Sequence, residues 1–220
     1  MFSFFCILLT IYLGVWQLER LKWKQALIQN FDNLLEQRPL SLSMANMKYR
    51  NIDEFTKIIA NAKIDRSKKI FFPAKTYNGK NGFFLASLLI DNHDNKYLID
   101  EGWFEYNQYD YFKNNSDTLS LEIIGYLRYP TEKKIFTPKN SPDTNEWYYY
   151  DLQEIQNFFG VEINQNFFIK NITDYGNDLL FPSNMKHNFS NNHLQYAITW
   201  FMMSISIFII YIIYLIKKYK

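Results

Sequence analysis

His193 stands about one turn ahead of an apolar run in which no residue is charged from Tyr196 to Ile216. On a helix, His193, Ala197, Trp200 and Ser204 recur at spacings of four, three and four, so they share one face. Ala197 would leave a notch below the imidazole, and Trp200 would wall it two turns deeper. Such a face suits a planar hydrophobic cofactor, with the imidazole as an axial iron ligand. The same histidine is more simply read as an interfacial residue that hydrogen-bonds to headgroups or to the rest of the protein. Spacing alone leaves both readings open, although ionisable residues at membrane depth lean functional.

A second group closes the N-terminal apolar run: Gly14, Trp16, Gln17 and, one turn on, Arg20. Gly14 would let a neighbouring helix or a flat ring approach closely. Gln17 adds a polar group, and Arg20 a guanidinium suited to carboxylates such as a pair of propionates. Read plainly, these are ordinary interfacial anchors.

Other chemistry is poorly supported. Cys6 is the single cysteine, so an intrachain disulfide and a paired-thiolate metal site are excluded. His93 lies in a polar turn and His187 in a linker, where solvation accounts for both. No histidine sits at helical spacing from His193. The chain has no Gly-x-Ser-x-Gly, His-Glu-x-x-His, P-loop or GxGxxG motif. Asp91, Asp94, Asp100 and Glu101 are expected to be solvated turn and strand-edge residues. Asn114-Asn115-Ser116, Asn171-Ile172-Thr173 and Asn188-Phe189-Ser190 fit the glycosylation pattern, which chance supplies in so Asn-rich a chain. A net charge of +2 implies no polyanion partner, and nothing suggests nucleic-acid binding.

The elements that must position these groups follow from hydropathy. The 220 residues allow one compact domain plus membrane segments. A helix of roughly 20 apolar residues crosses a hydrocarbon core about 30 Å thick. Residues 192–216 meet that length, and 217–220 form a basic tail. Residues 1–18 make a first, shorter spanning helix, with Trp16 and Trp23 as interface anchors. It lacks the basic start and small-residue cleavage site of a signal peptide. A helical extension, 19–38, ends at Pro39. Lys217, Lys218 and Lys220 favour a cytoplasmic tail, which puts the middle of the chain outside; Arg20, Lys22 and Lys24 pull the other way. The positive-inside rule loses force over long translocated domains.

Residues 39–191 read as a β-rich domain with a linker. Ile58, Ala60, Ala62 and Ile64 alternate with polar residues, as do Leu119, Leu121, Ile123, Gly125 and Leu127. Residues 78–82 and 91–95 are turns flanking a strand over 83–90, and 96–104 is a strand broken by Gly102. Asp151 to Glu154 resembles a capping box opening a helix that Gly160 closes. Residues 161–172 form a last strand. The expected fold is a membrane α+β protein: two transmembrane helices flanking an extracytoplasmic small barrel or sandwich.

Several stretches carry a family resemblance. Gly14-x-Trp16-Gln17-x-x-Arg20-x-x-Trp23-Lys24 and Asn192-His193-Leu194-Gln195-Tyr196-Ala197-x-Thr199-Trp200-Phe201 are similar to the two signature ends of the Surfeit locus protein 1 family. Phe136-x-Pro138-x-Asn140-x-Pro142-x-x-Asn145-x-Trp147, preceded by Gly125-Tyr126-Leu127-Arg128, resembles its central motif. Residues 97–103 resemble its Arg-Gly-Trp strand, with Glu101 in place of the arginine and no proline after Trp103.

The resemblance implies an assembly factor for haem-copper cytochrome c oxidase. Its bacterial members are held to bind haem a and help place it in subunit I, with the histidine of the second helix on the iron. Carried over, that residue is His193, while Trp16, Gln17, Arg20, Ala197 and Trp200 are expected beside the cofactor. The implied partners are subunit I, other assembly factors and the lipid bilayer. A start directly on a spanning helix favours a bacterial inner membrane, with the central domain periplasmic. No turnover chemistry is expected. The alternative is a cofactor-free scaffold for an oxidase assembly intermediate. A sensor shares the two-helix topology but is disfavoured by so short a tail.

Overall fold

The computed structural model describes residues 2–131, 133–176, 178–182 and 192–219. His187 and the Asn188-Phe189-Ser190 pattern lie outside them. The chain divides into two units, one of residues 1–33 with 187–220, the other of residues 34–186.

The first unit is a pair of helices. α1 runs without a break over Phe2–Glu36, and α5 over His193–Lys218. Both are long and apolar enough to cross a membrane. Their large apolar side chains point outward: Phe4, Phe5, Leu8 and Tyr12 on α1, Ile198, Met202, Ile205 and Phe208 on α5, all exposed. Such a surface suits hydrocarbon, not water. Membrane helices must also satisfy their own hydroxyls. Thr10 donates to the carbonyls of Cys6 and Ile7, Thr199 to Gln195, and Ser206 to Met202, each at 2.9 Å. The small residues Thr10, Gly14, Ala197 and Ser204 are buried. A Cβ on Gly14 would fall 2.7 Å from the Phe201 ring, so glycine lets that ring lie on the α1 backbone.

The second unit is a closed β-barrel. β1 (Leu40–Ser41) leads into α2 (Leu42–Lys48), capped by Ser41. β2 (Lys57–Tyr77), β3 (Lys80–Asp91) and β4 (Lys96–Glu105) form a meander. α3 (Tyr109–Asn114) precedes β5 (Thr118–Arg128), and α4 (Leu152–Phe159) precedes β6 (Phe168–Asn171). The order β2-β3-β4-β6-β5 returns to β2, because β2 pairs with β5 over Lys57–Asp65 and with β3 over Ala62–Tyr77. Closure removes the sheet edges. Between the two expected architectures, the barrel is the one formed.

Two bulges bend β2, at residues 66–68 and 73–74. Pro73 has no N–H for the ladder, and Ser67 N turns instead to the Asp65 carboxylate at 2.9 Å. Side chains alternate across each strand. Ile64, Leu89, Tyr97, Ile99, Ile123 and Ile169 fill the barrel, while Ile70, Phe72, Leu88 and Leu98 face outward under α4 and Trp147. A third cluster, around Phe71, Leu85, Phe104 and Phe112, fills the other end. α4 starts and stops where the sequence indicates: Asp151 accepts from Glu154 N at 3.0 Å, and Gly160 takes φ +65°.

The expected strand over 161–172 is shorter, Phe168–Asn171. Side chains capture the preceding backbone. Gln156 accepts from Ile163 N, Asn164 accepts from Asn166 N and Phe167 N, and Asn164 N donates to Lys96 O. Such local bonds compete with a ladder. Nor does Gly102 break β4; the strand continues through a bulge there.

Candidate functional site

The helix pair brings two of the candidate residues together. His193 Nδ1 lies 2.7 Å from Gln17 Oε1. An amide oxygen only accepts, so Nδ1 is the donor in this bond, and in the neutral imidazole that leaves the lone pair on Nε2. That tautomer is the one an iron ligand uses, and metal-binding histidines commonly hold the other ring nitrogen in such a bond. The ring is half-buried and turned to α1.

The other candidates are placed differently. Ala197 is 1 % exposed, so the notch expected below the imidazole is filled by packing and is not an open slot. Trp200 is half-buried. Trp16 is 46 % exposed, and one helical step turns it about 100° from Gln17. Arg20 is exposed and stacks its guanidinium 3.9 Å over the Trp23 ring. It is thus committed to a cation–π contact on its own helix.

The expectation that the carboxylates of residues 91–101 are solvated holds for Asp94, on its turn, and fails for the rest. Asp91 is 9 % exposed and ties the turn by accepting from His93 N and Asn95 N at 2.8 and 2.9 Å. Asp100 and Glu101 are fully buried. The cause is a bulge: Leu85 pairs with Gly102 and Ala86 with Asp100, leaving Glu101 as the extra residue. Asp100 then faces the Tyr150 hydroxyl at 2.8 Å and Lys170 at 3.4 Å. Glu101 accepts from Ser87 Oγ at 2.6 Å and from Arg66 at 2.7 Å.

Arg66, itself 3 % exposed, comes from the first β2 bulge and also reaches Asp117 at 3.3 Å. Burial opposes its charge, but Glu101 and then Asp117 hold the proton, and its pKa rises. Burial lowers Lys69, which donates to the Asn115 carbonyl. Burial, then the Glu101 charge, pushes Tyr175 well above the usual phenol range. This cluster escaped the sequence reading. The polar run 65–69 inside a strand, and two carboxylates before Gly102, were the signals that could have found it. The guanidinium absent at position 101 is matched here by one at position 66.

Two helices of membrane-spanning length, linked by an imidazole–amide pair, and one closed barrel between them in sequence define a membrane-anchored barrel protein. The model of the SURF1 family matches residues 4–205, and the chain belongs to that family. It is 28 % identical over 213 residues to a SURF1-like protein of Rickettsia bellii, covering 94 % of this chain and 86 % of the relative. A SURF1-like protein of Dictyostelium discoideum is 23 % identical over 250 residues, covering 94 % and 93 %. Surfeit locus protein 1 of Homo sapiens is 24 % identical over 213 residues, covering 87 % and 69 %. Membership supports a role in oxidase assembly in general, in a family of assembly factors and not of catalysts.

Proposed function

We propose that this protein binds haem a as cargo at the outer membrane face and aids its insertion into subunit I of cytochrome c oxidase. The observation that carries the proposal is the Gln17–His193 bond, which orients the imidazole and leaves Nε2 free to bind iron. Trp200 and the exposed Trp16 would add aromatic contact, and Arg20 a partner for propionates once drawn from Trp23. Ala197 serves by keeping the helices close beneath the ring. The membrane is the bacterial inner membrane, with the barrel periplasmic, where it meets subunit I and other assembly factors.

The test is extraction of pigment from the full chain purified out of cells that make haem a. Wild type is expected to carry haem a, and His193→Ala much less. Equal amounts in both would overturn the ligand assignment.

A second reading is a cofactor-free scaffold for an assembly intermediate. It is favoured by the closed packing at Ala197 and by the Phe201 ring seated on Gly14, which leave the helix pair complete as it stands. The Gln17–His193 bond would then be an ordinary interhelical link, worth about 0.6 kcal/mol in such settings. Absence of a Soret band in protein made alongside haem a would support this reading.

A further inference from the structure

Among the described residues, the most exposed large apolar side chains of the barrel unit are neighbours in sequence. Ile135 is 92 % exposed and Phe136 97 %. They occupy the central positions of a turn closed by Thr137 N donating to Lys134 O at 3.0 Å. Those positions ordinarily favour Gly, Pro, Asn, Asp or Ser. Two large apolar residues there do nothing for the turn itself. They also forgo burial that would stabilise each by about the usual apolar transfer energy.

The segment is held firmly at both ends. Tyr129 donates its hydroxyl to the carbonyls of Ile52 and Tyr49 at 2.6 and 3.0 Å. Asn140 accepts from Tyr148 N at 2.9 Å and donates to Glu154 at 2.8 Å. Pro130 and Pro138 stiffen the chain between the two clamps. The tip is therefore presented outward by its supports. Lys133, Lys134 and Lys139 flank it on both sides, all exposed.

We propose that this turn is a further membrane contact, in which Ile135 and Phe136 seat in the interfacial region of a bilayer that carries anionic phospholipid. The chemistry is complementary: an apolar pair for the acyl boundary, flanked in sequence by three exposed lysines for acidic headgroups. A convex tip with positive flanks fits such a surface without needing a shaped cleft. The barrel lies in sequence between two helices of membrane-spanning length, which tether it to a bilayer. Tethering makes this contact effectively intramolecular, so even weak insertion is populated.

The test uses the full chain with Cys6→Ser and Ile135→Cys, labelled with a nitroxide, in nanodiscs. One set is phosphatidylcholine alone and the other contains phosphatidylglycerol. A label at Asn92→Cys, on the exposed turn after β3, is the aqueous control. In the anionic discs, collision of the position-135 label with a water-soluble nickel chelate is expected to fall several-fold below the control, while collision with oxygen rises. Lys133→Gln with Lys134→Gln is expected to return it towards the control, as is Phe136→Ser. Because these residues are exposed, unfolding midpoints should stay unchanged. A position-135 label as accessible to nickel as the control in anionic discs would overturn the proposal and leave a protein partner as the occupant. Equal immersion in both lipids would overturn the role given to the lysines.

Discussion

Glu101 and Arg66 meet at 2.7 Å inside the barrel, each delivered by a β-bulge in its own strand. Both are nearly inaccessible, at 0 % and 3 % exposure. Removing one partner from a buried pair strands the other charge, which costs about 3–5 kcal/mol. Replacing both with apolar residues of similar volume is often close to neutral. Glu101→Ala leaves Arg66 only the partly exposed Asp117 as a counter-ion, so it is expected to destabilise the barrel by up to about that amount, and Arg66→Met with Glu101→Leu to regain most of it. Denaturant unfolding of the detergent-purified chain measures both. A double variant as unstable as the sum of the singles would show that the pair is not one energetic unit.

Tyr97 supplies a pH dependence. Burial, then the Asp91 charge, pushes its pKa from 10.0 up to about 12. The folded state thus holds the phenolic proton more tightly than the unfolded chain. The resulting stability is complete below pH 10.0 and is lost as pH rises through about 12. Two pKa units correspond to about 2–3 kcal/mol. The Tyr97 hydroxyl is buried with no hydrogen-bond partner among the described residues. Tyr97→Phe is expected to leave stability at pH 7 unchanged or raise it by about 1 kcal/mol. It is also expected to flatten the loss above pH 10, leaving the part due to Tyr150 and Tyr175, which are raised by burial too. Urea unfolding from pH 8 to 11 checks this; parallel curves for the two proteins would rule it out.

What was legible in the sequence was whatever one element reveals alone. The uncharged run after Tyr196, the alternation from Ile58 to Ile64 and the Asp151–Gly160 caps each report a local period or a local bond, and each element formed. What stayed hidden needed a partner distant in sequence. Glu101 reads as solvated until the bulge turns it towards Arg66, 35 residues away. Residues 161–167 read as strand until Gln156 and Asn164 claim their amides. The spacing of His193 and Ala197 pointed to one face, but only the packing showed that Ala197 is covered.

Gly102 is where backbone conformation matters most. Its φ is +142°, and a Cβ there would fall 2.3 Å from the Phe181 carbonyl oxygen. That close approach lets Trp103 and Phe181 exchange two backbone bonds, at 2.8 and 2.7 Å. Gly102→Ala combines about 1–3 kcal/mol of backbone strain with the steric conflict. It is expected to lower the unfolding midpoint and to release the 181 segment from Trp103, seen as a red-shifted tryptophan emission. Unchanged emission and midpoint would mean that the segment contributes nothing to the barrel.

The Gln17–His193 bond separates the two functional readings without deleting the histidine. If His193 ligates haem iron, the group on Nδ1 tunes the basicity of Nε2. Gln17→Glu places a carboxylate on that proton and gives the ring imidazolate character. The bound haem is then expected to show a lower midpoint potential and a stronger iron–imidazole bond in resonance Raman spectra. Gln17→Leu removes the acceptor, freeing the ring to rotate, and is expected to weaken haem retention severalfold while leaving the barrel's unfolding unchanged. Under the scaffold reading neither substitution touches an iron ligand. Any haem that copurified would then keep one potential and one spectrum across wild type, Gln17→Glu and Gln17→Leu, and that invariance would remove His193 from the iron.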